Sequence, residues 1–206
     1  MLKGKKRKDI LKRHQFADYL NVGTEDSPEY VLMGTGFSTL DESPGAQTSK
    51  KKYVNEASSS SSIKSYETSF PFESDLIKEE AAIIALYNVG RNHYTGSDAE
   101  FEYVRVELWD AVEGNHNEFA ARKFIVSAEI SNIKGEDEMQ VSGNLNAVGD
   151  FVAGTFNTET RAFTEAEGVG GITSGTGNAG TGSPGGAPGS TGGEEGPDGT
   201  EDGPSE

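Results

Sequence analysis

From Lys123 to Ile130 and again from Met139 to Ala147 the side chains alternate with a period of two, and this confines the fold more than any other feature. Phe124, Val126, Ala128 and Ile130 stand on one side; Lys123, Ser127 and Glu129 stand on the other, with Ile125 the one apolar residue among them. Met139, Val141, Leu145 and Ala147 then alternate with Gln140, Ser142, Asn144 and Asn146. Successive residues of a strand point to opposite faces, so both segments read as strands with one buried face.

The same pattern recurs elsewhere. Val104, Val106 and Leu108 face one way, while Phe101, Tyr103 and Trp109 face the other with Arg105 and Glu107, which predicts a strand in contact on both sides. Lys64, Tyr66, Thr68, Phe70 and Phe72 form a further alternating face. Val152 to Phe163 reads as a strand pair around Asn157-Thr158-Glu159, and Tyr30–Met33 as a short strand closed by Gly34. One stretch is helical, over about 75–89. Ser74 and Asp75 are its caps, Ile77, Ala81, Ile84, Ala85 and Tyr87 its apolar stripe, and Gly90 its terminator. The fold class is therefore α+β and mainly β: an antiparallel sandwich or barrel-like assembly with one flanking helix.

Charge divides the chain into three parts. Residues 1–13 hold seven Lys/Arg and one acid and read as a basic arm, net +6. Residues 168–206 hold six acids and no base, with 15 Gly and four Pro among 39 residues and no aromatic. So little apolar surface cannot offset the entropy of ordering, and a flexible acidic tail is expected. With 18 basic and 34 acidic residues in all, net −16, the 14–167 body is itself acidic. That argues against gripping nucleic acid through its phosphates. There is no cysteine, which excludes disulfides, thiolate catalysis and cysteine-ligated metals. No apolar run approaches the roughly 20 residues of a membrane span. Asp9-Ile10-Leu11-Lys12-Arg13 stands where a secretory signal needs apolar residues, so an intracellular chain without membrane insertion is expected.

The stretch between Leu40 and Tyr66 is unusual for its polarity. Pro44-Gly45 marks a turn, Lys50-Lys51-Lys52 is a cationic cluster, and Ser58 to Ser62 is a serine run. Loops this long are usually functional or disordered. Two readings stand: a hairpin over about 41–62 that docks on a neighbouring subunit, or a surface loop.

Catalytic signatures fail one by one. His14, His93 and His116 lie in unrelated contexts, and His116-Asn117-Glu118 lacks the P-C-x-x-C that zinc deaminases require. Gly34-Thr35-Gly36 opens like a dinucleotide fingerprint but has Thr39 in place of the third glycine, and reads as a turn. No phosphate-binding loop or nucleophile elbow occurs. Glu136-Asp137-Glu138 lacks the loop geometry of a calcium site and reads as a solvated hairpin tip. The expectation is a protein that is not an enzyme and carries no cofactor and no metal.

Taken whole, the body resembles a known family. The residues that carry this are His14-Gln15-Phe16-Ala17-Asp18-Tyr19-Leu20-Asn21-Val22-Gly23 and Tyr30-Val31-Leu32-Met33-Gly34. With them go Thr39-Leu40-Asp41-Glu42-Ser43-Pro44-Gly45-Ala46-Gln47-Thr48 leading into the lysines and Tyr53-Val54-Asn55. Leu86-Tyr87-Asn88-Val89-Gly90-Arg91-Asn92 and Gly143-Asn144-Leu145-Asn146-Ala147-Val148-Gly149-Asp150 complete the pattern. Over about residues 11–165 the chain is similar to the major tail (tail tube) proteins of long-tailed phages and prophages of Gram-positive bacteria. The basic start and Gly-rich end lie outside that pattern.

The resemblance implies a virion subunit, assembled in the host cytoplasm, that forms hexameric rings stacked into a hollow tube for DNA ejection. It implies as partners the chain itself, a tape measure protein, a distal tail protein and a tail terminator, with DNA passing through non-specifically. On that footing Asp41, Glu42, Pro44, Gly45, Lys50, Lys51 and Lys52 are the expected contact between rings. Gln140, Ser142, Asn144 and Asn146 are either a low-friction lining of the lumen or an ordinary solvated face. The tube of a contractile tail or of a phage-tail-like bacteriocin fits the same pattern, and a carbohydrate-binding β-domain is the alternative from a different class.

Overall fold

A computed structural model of the chain describes residues 10–24, 26–55 and 58–166. The basic arm, apart from its last four residues, and the whole acidic tail lie outside these residues. The strands are β1 (Phe16–Asn21), β2 (Tyr30–Leu32), β3 (Phe37–Leu40), β4 (Ala46–Lys51), β5 (Ser60–Tyr66) and β6 (Ser69–Asp75). After the helix α1 (Ala81–Asn92) come β7 (Glu100–Ala111), β8 (Glu118–Lys134), β9 (Gln140–Ala147), β10 (Val152–Asn157) and β11 (Ala162–Glu165). The fold is mainly β with one α-helix, as the alternation predicts, and the antiparallel sheet curls into a half-barrel. Its hydrogen-bonded order is β2-β1-β7-β8-β9-β6-β3, with β10 and β11 added at β8; β4 and β5 form a separate two-stranded sheet.

The spine is β8, 17 residues long. Along one edge it pairs with β7. Along the other it pairs first with β10, through Glu118 to Lys123, and then with β9, through Val126 to Lys134. β9 and β10 are thus nearly one strand, interrupted at 148–151. Gly149 takes φ +80° there, a left-handed value that glycine adopts without a Cβ clash.

Two cores lie on opposite faces of β7. Tyr103 joins the larger, with Leu20, Phe70, Phe72, Phe124, Val126, Val141, Leu145 and the α1 residues Ala82, Ile83, Leu86 and Val89. Val104 and Val106 join the smaller, with Tyr19, Tyr30, Ala121 and Phe156. The expected contact on both sides of this strand is present. Burying a large apolar side chain contributes roughly 1.5–3 kcal/mol, so these positions dominate the stability of the body.

The helix differs from its sequence expectation at both ends and in its buried stripe. Ser74 and Asp75 are not caps; they complete the β6 ladder opposite Val141 and Gln140. The helix starts at Ala81, which turns Ala82, Ile83, Leu86 and Val89 inward and leaves Ala81 exposed. Nor does Gly90 end it. α1 runs on to Asn92, and His93 takes the left-handed conformation at φ 54°. Gly90 serves packing instead, since a Cβ there would stand 2.8 Å from Ile130 Cγ2. Met139 lies outside β9 and is 46% exposed, and Tyr66 is likewise exposed.

Candidate self-association surfaces

The polar stretch forms a hairpin, set later in the chain than 41–62. β4 and β5 pair from Ala46 opposite Tyr66 to Lys51 opposite Ser60, with a register shift after Gln47. Every residue of β5 is exposed, and in β4 only Ser49 is half-buried. Val54, Ile63 and Tyr66 present apolar surface to solvent, and the Lys51 ammonium lies 5.2 Å from the centre of the Tyr53 ring. Among the described residues no carboxylate pairs with Lys50, Lys51 or Lys52.

Backbone hydrogen bonds fasten the hairpin at its root. Ser43 and Ser69 exchange backbone hydrogen bonds of 2.8 and 2.9 Å, and the Glu67 N–H donates to the Gly45 carbonyl at 3.1 Å. Gly45 takes φ +62°, and a Cβ would stand 2.2 Å from the Glu67 carbonyl oxygen, so both backbone shape and space require glycine. Of the residues expected between rings, Asp41, Pro44 and Gly45 belong to this root and Lys50, Lys51 and Lys52 to the far end.

Glu42 is engaged inside its own subunit. Arg122 donates to both of its carboxylate oxygens, at 2.7 and 2.8 Å, the bidentate geometry that guanidinium favours. Arg105 Nε lies 3.6 Å from Glu42 Oε2 and 3.8 Å from Asp18 Oδ1. Asp18 is buried, accepting a 2.5 Å hydrogen bond from the Tyr103 hydroxyl and an ion pair from Arg13, which also donates to the Leu40 carbonyl at 3.2 Å. Partial burial alone would raise the Glu42 pKa, but Arg122 and Arg105 outweigh it and hold the carboxyl below its usual range. Burial, reinforced by the Asp18 charge, pushes the Tyr103 hydroxyl well up. Arg105 Nη1 is buried with no hydrogen-bond partner among the described residues, and its guanidinium faces the Phe16 and Phe70 rings at 5.6 and 5.9 Å. This cluster joins the start of β1, the hairpin root and the spine. Its hydrogen-bonded partners lie up to 85 residues apart in sequence, so no local motif reveals it.

The β9 face that holds Gln140, Ser142, Asn144 and Asn146 is half-buried and more acidic than its own residues suggest. Directly opposed residues share a face, which brings in Glu73 and Asp75 of β6 and Glu129 and Lys134 of β8, three acids against one base. Gln140 Nε2 donates to Asp75 Oδ1 at 3.0 Å and Asn146 Nδ2 to Glu129 Oε2 at 3.1 Å; Lys134 pairs with Glu73 at 3.3 Å.

An open groove of about 630 Å³ lies beside β1 and β3, and Phe16, Met33, Phe37, Leu40, Arg13 and His14 are among its lining residues. The Asp18 carboxylate in it is already taken by Arg13 and Tyr103. Among the described residues no three His, Asp or Glu side chains are placed to hold a metal, and no helix is long and apolar enough to cross a membrane. Gly34-Thr35-Gly36 is the turn between β2 and β3, as expected, and Glu136-Asp137-Glu138 is the exposed tip between β8 and β9.

No family model matches the chain, and no curated protein does. Among solved structures it is similar to a chain of the anti-feeding prophage baseplate, determined by cryo-electron microscopy with six-fold symmetry imposed. The identity is 9% and the TM-score 0.44, over 74% of this chain and 99% of that one.

Proposed function

We propose that this protein is a structural subunit of a phage-type tail that works by binding copies of itself into stacked rings, which form a tube through which DNA leaves. The observation that carries this reading is the β4–β5 hairpin. A two-stranded sheet with nearly every side chain in water has no core of its own, and isolated hairpins are marginally stable at best. Such an element is expected where a second molecule completes it. The tail-tube resemblance of the 11–165 segment supplies the architecture, and a six-membered closed ring would also give the exposed edges of β2 and β3 a partner.

The acidic β9 face fits the role of a conduit wall. Glu73, Asp75 and Glu129 outnumber Lys134 on this face, and beside small amides and a hydroxyl they would repel phosphate and offer it few places to hold. On this reading the chain is not an enzyme. Its natural neighbours would be a tape measure protein, a distal tail protein and a tail terminator, and its place the virion tail. Negative-stain electron microscopy of the purified protein at high concentration tests the reading. Rings or tubes are expected; discrete monomers, also in the presence of its natural nucleating proteins, would overturn it.

A further inference from the structure

The two most strongly charged exposed tips leave opposite ends of one strand pair. β6 and β9 are paired over seven positions, from Ser69 opposite Asn146 to Asp75 opposite Gln140. At strand geometry this span is about 20 Å. The hairpin leaves at the Ser69 end, where Ser43 bridges Ser69 and the Thr68 carbonyl accepts from the Ala147 N–H. The turn between β8 and β9, Gly135 to Met139, closes the Asp75 end, where the Leu76 N–H donates to the Met139 carbonyl.

The signs at the two ends are opposite. The sequence of the hairpin holds Lys50, Lys51, Lys52 and Lys64 against one acid, Glu56, in a body that is otherwise strongly acidic. The turn holds Glu136, Asp137 and Glu138, all exposed and without an ion pair among the described residues. Each tip also carries exposed apolar surface: Val54 and Ile63 on the hairpin, Ile133 and Met139 beside the turn. A contact between two different patches is heterologous, and when the patches lie at opposite ends of a molecule and the rotation between copies does not close a ring, it repeats into a column.

Resting on the proposed self-assembly, we infer that the hairpin of one copy docks on the β8–β9 turn of the next. Lys50, Lys51 and Lys52 meet Glu136, Asp137 and Glu138 there, and Val54 packs towards Met139. The occupant of the unpartnered β4–β5 sheet is thus a second copy of this chain, joined head to tail along the β6–β9 axis.

The absence of cysteine makes the test direct. Lys51→Cys and Asp137→Cys are prepared as separate variants, mixed in equal amounts and oxidised, with far-UV circular dichroism confirming that each is folded. Docking predicts a disulfide-linked heterodimer in about tenfold excess over either homodimer, because it holds the two thiols at high effective concentration. Salt at about 0.5 M should reduce that excess by screening the charges. A second arm reverses charge. K50E/K51E/K52E and E136K/D137K/E138K should each suppress polymer seen by sedimentation, and the two sets combined in one chain should restore it. Wild-type tubes without heterodimer enrichment or charge-swap rescue would overturn this contact and leave the tube reading standing. Heterodimers without tubes would uphold the contact and overturn the tube.

Discussion

β5 and β6 are neighbours in sequence, equal at seven residues, and separated only by Glu67 and Thr68, yet they are opposite kinds of strand. β6 alternates between buried and half-buried along its whole length because β3 and β9 flank it and α1 shares its core. β5 has β4 as its one neighbour and is exposed throughout. Backbone pairing is present in both; only β6 has side chains that exclude water. The contrast separates what holds the subunit together from what is left over for another molecule.

The largest test of that contrast is to remove an aromatic from each strand. Phe70 is fully buried, with ring centres 4.5 Å from Tyr103 and 5.0 Å from Phe124. Phe70→Ala should cost about 3–5 kcal/mol in urea denaturation. Tyr66→Ala, four residues earlier, should stay within about 0.5 kcal/mol. A large loss at Tyr66 would mean that the hairpin packs on its own body.

Next in size is Gly90→Ala. Helix propensity alone favours alanine by about 1 kcal/mol. The contact with Ile130 opposes it, and overpacking of about 1–3 kcal/mol should win, lowering the melting temperature. A rise would show that β8 can retreat from the helix.

Glu42→Gln should cost about 1–3 kcal/mol near neutral pH by weakening the bidentate bond to Arg122. Because the folded-state pKa lies below the ordinary 4.5, the stabilisation is present above that value and is lost as pH falls through the folded-state pKa. Wild type and variant should therefore converge in acid when stability is followed against pH. Smallest in its effect on the monomer is the triple change of Lys50, Lys51 and Lys52 to Gln. It should leave the melting temperature unchanged and weaken polymer formation measured by sedimentation, which would place the cluster's role between molecules.

Strand alternation was legible where one face meets a core, as in β9, because burial writes a period of two directly into residue choice, and β7 betrayed its two cores by apolar residues on both faces. The hairpin's strands were not, since a strand exposed on both faces carries no such record, and Ser60 to Ser62 reads like any polar loop. The helix misled in a different way. Its apolar positions admit more than one stripe, and Ser74-Asp75 suit a cap as well as a strand end; pairing with β9 decides between them. The charge cluster under the hairpin root was invisible because the fold brings Arg13, Asp18, Glu42, Tyr103, Arg105 and Arg122 together from distant segments.

One consequence of the long spine strand concerns how the molecule comes apart. β8 lends its first half to the small core and its second half to the large one, with Phe124 and Val126 at the crossing. Neither half can peel away without dragging the other's ladder with it. Heat should therefore melt both regions in a single step, and amide protons at Ala121 and Ala128 should escape to deuterated solvent on the same clock.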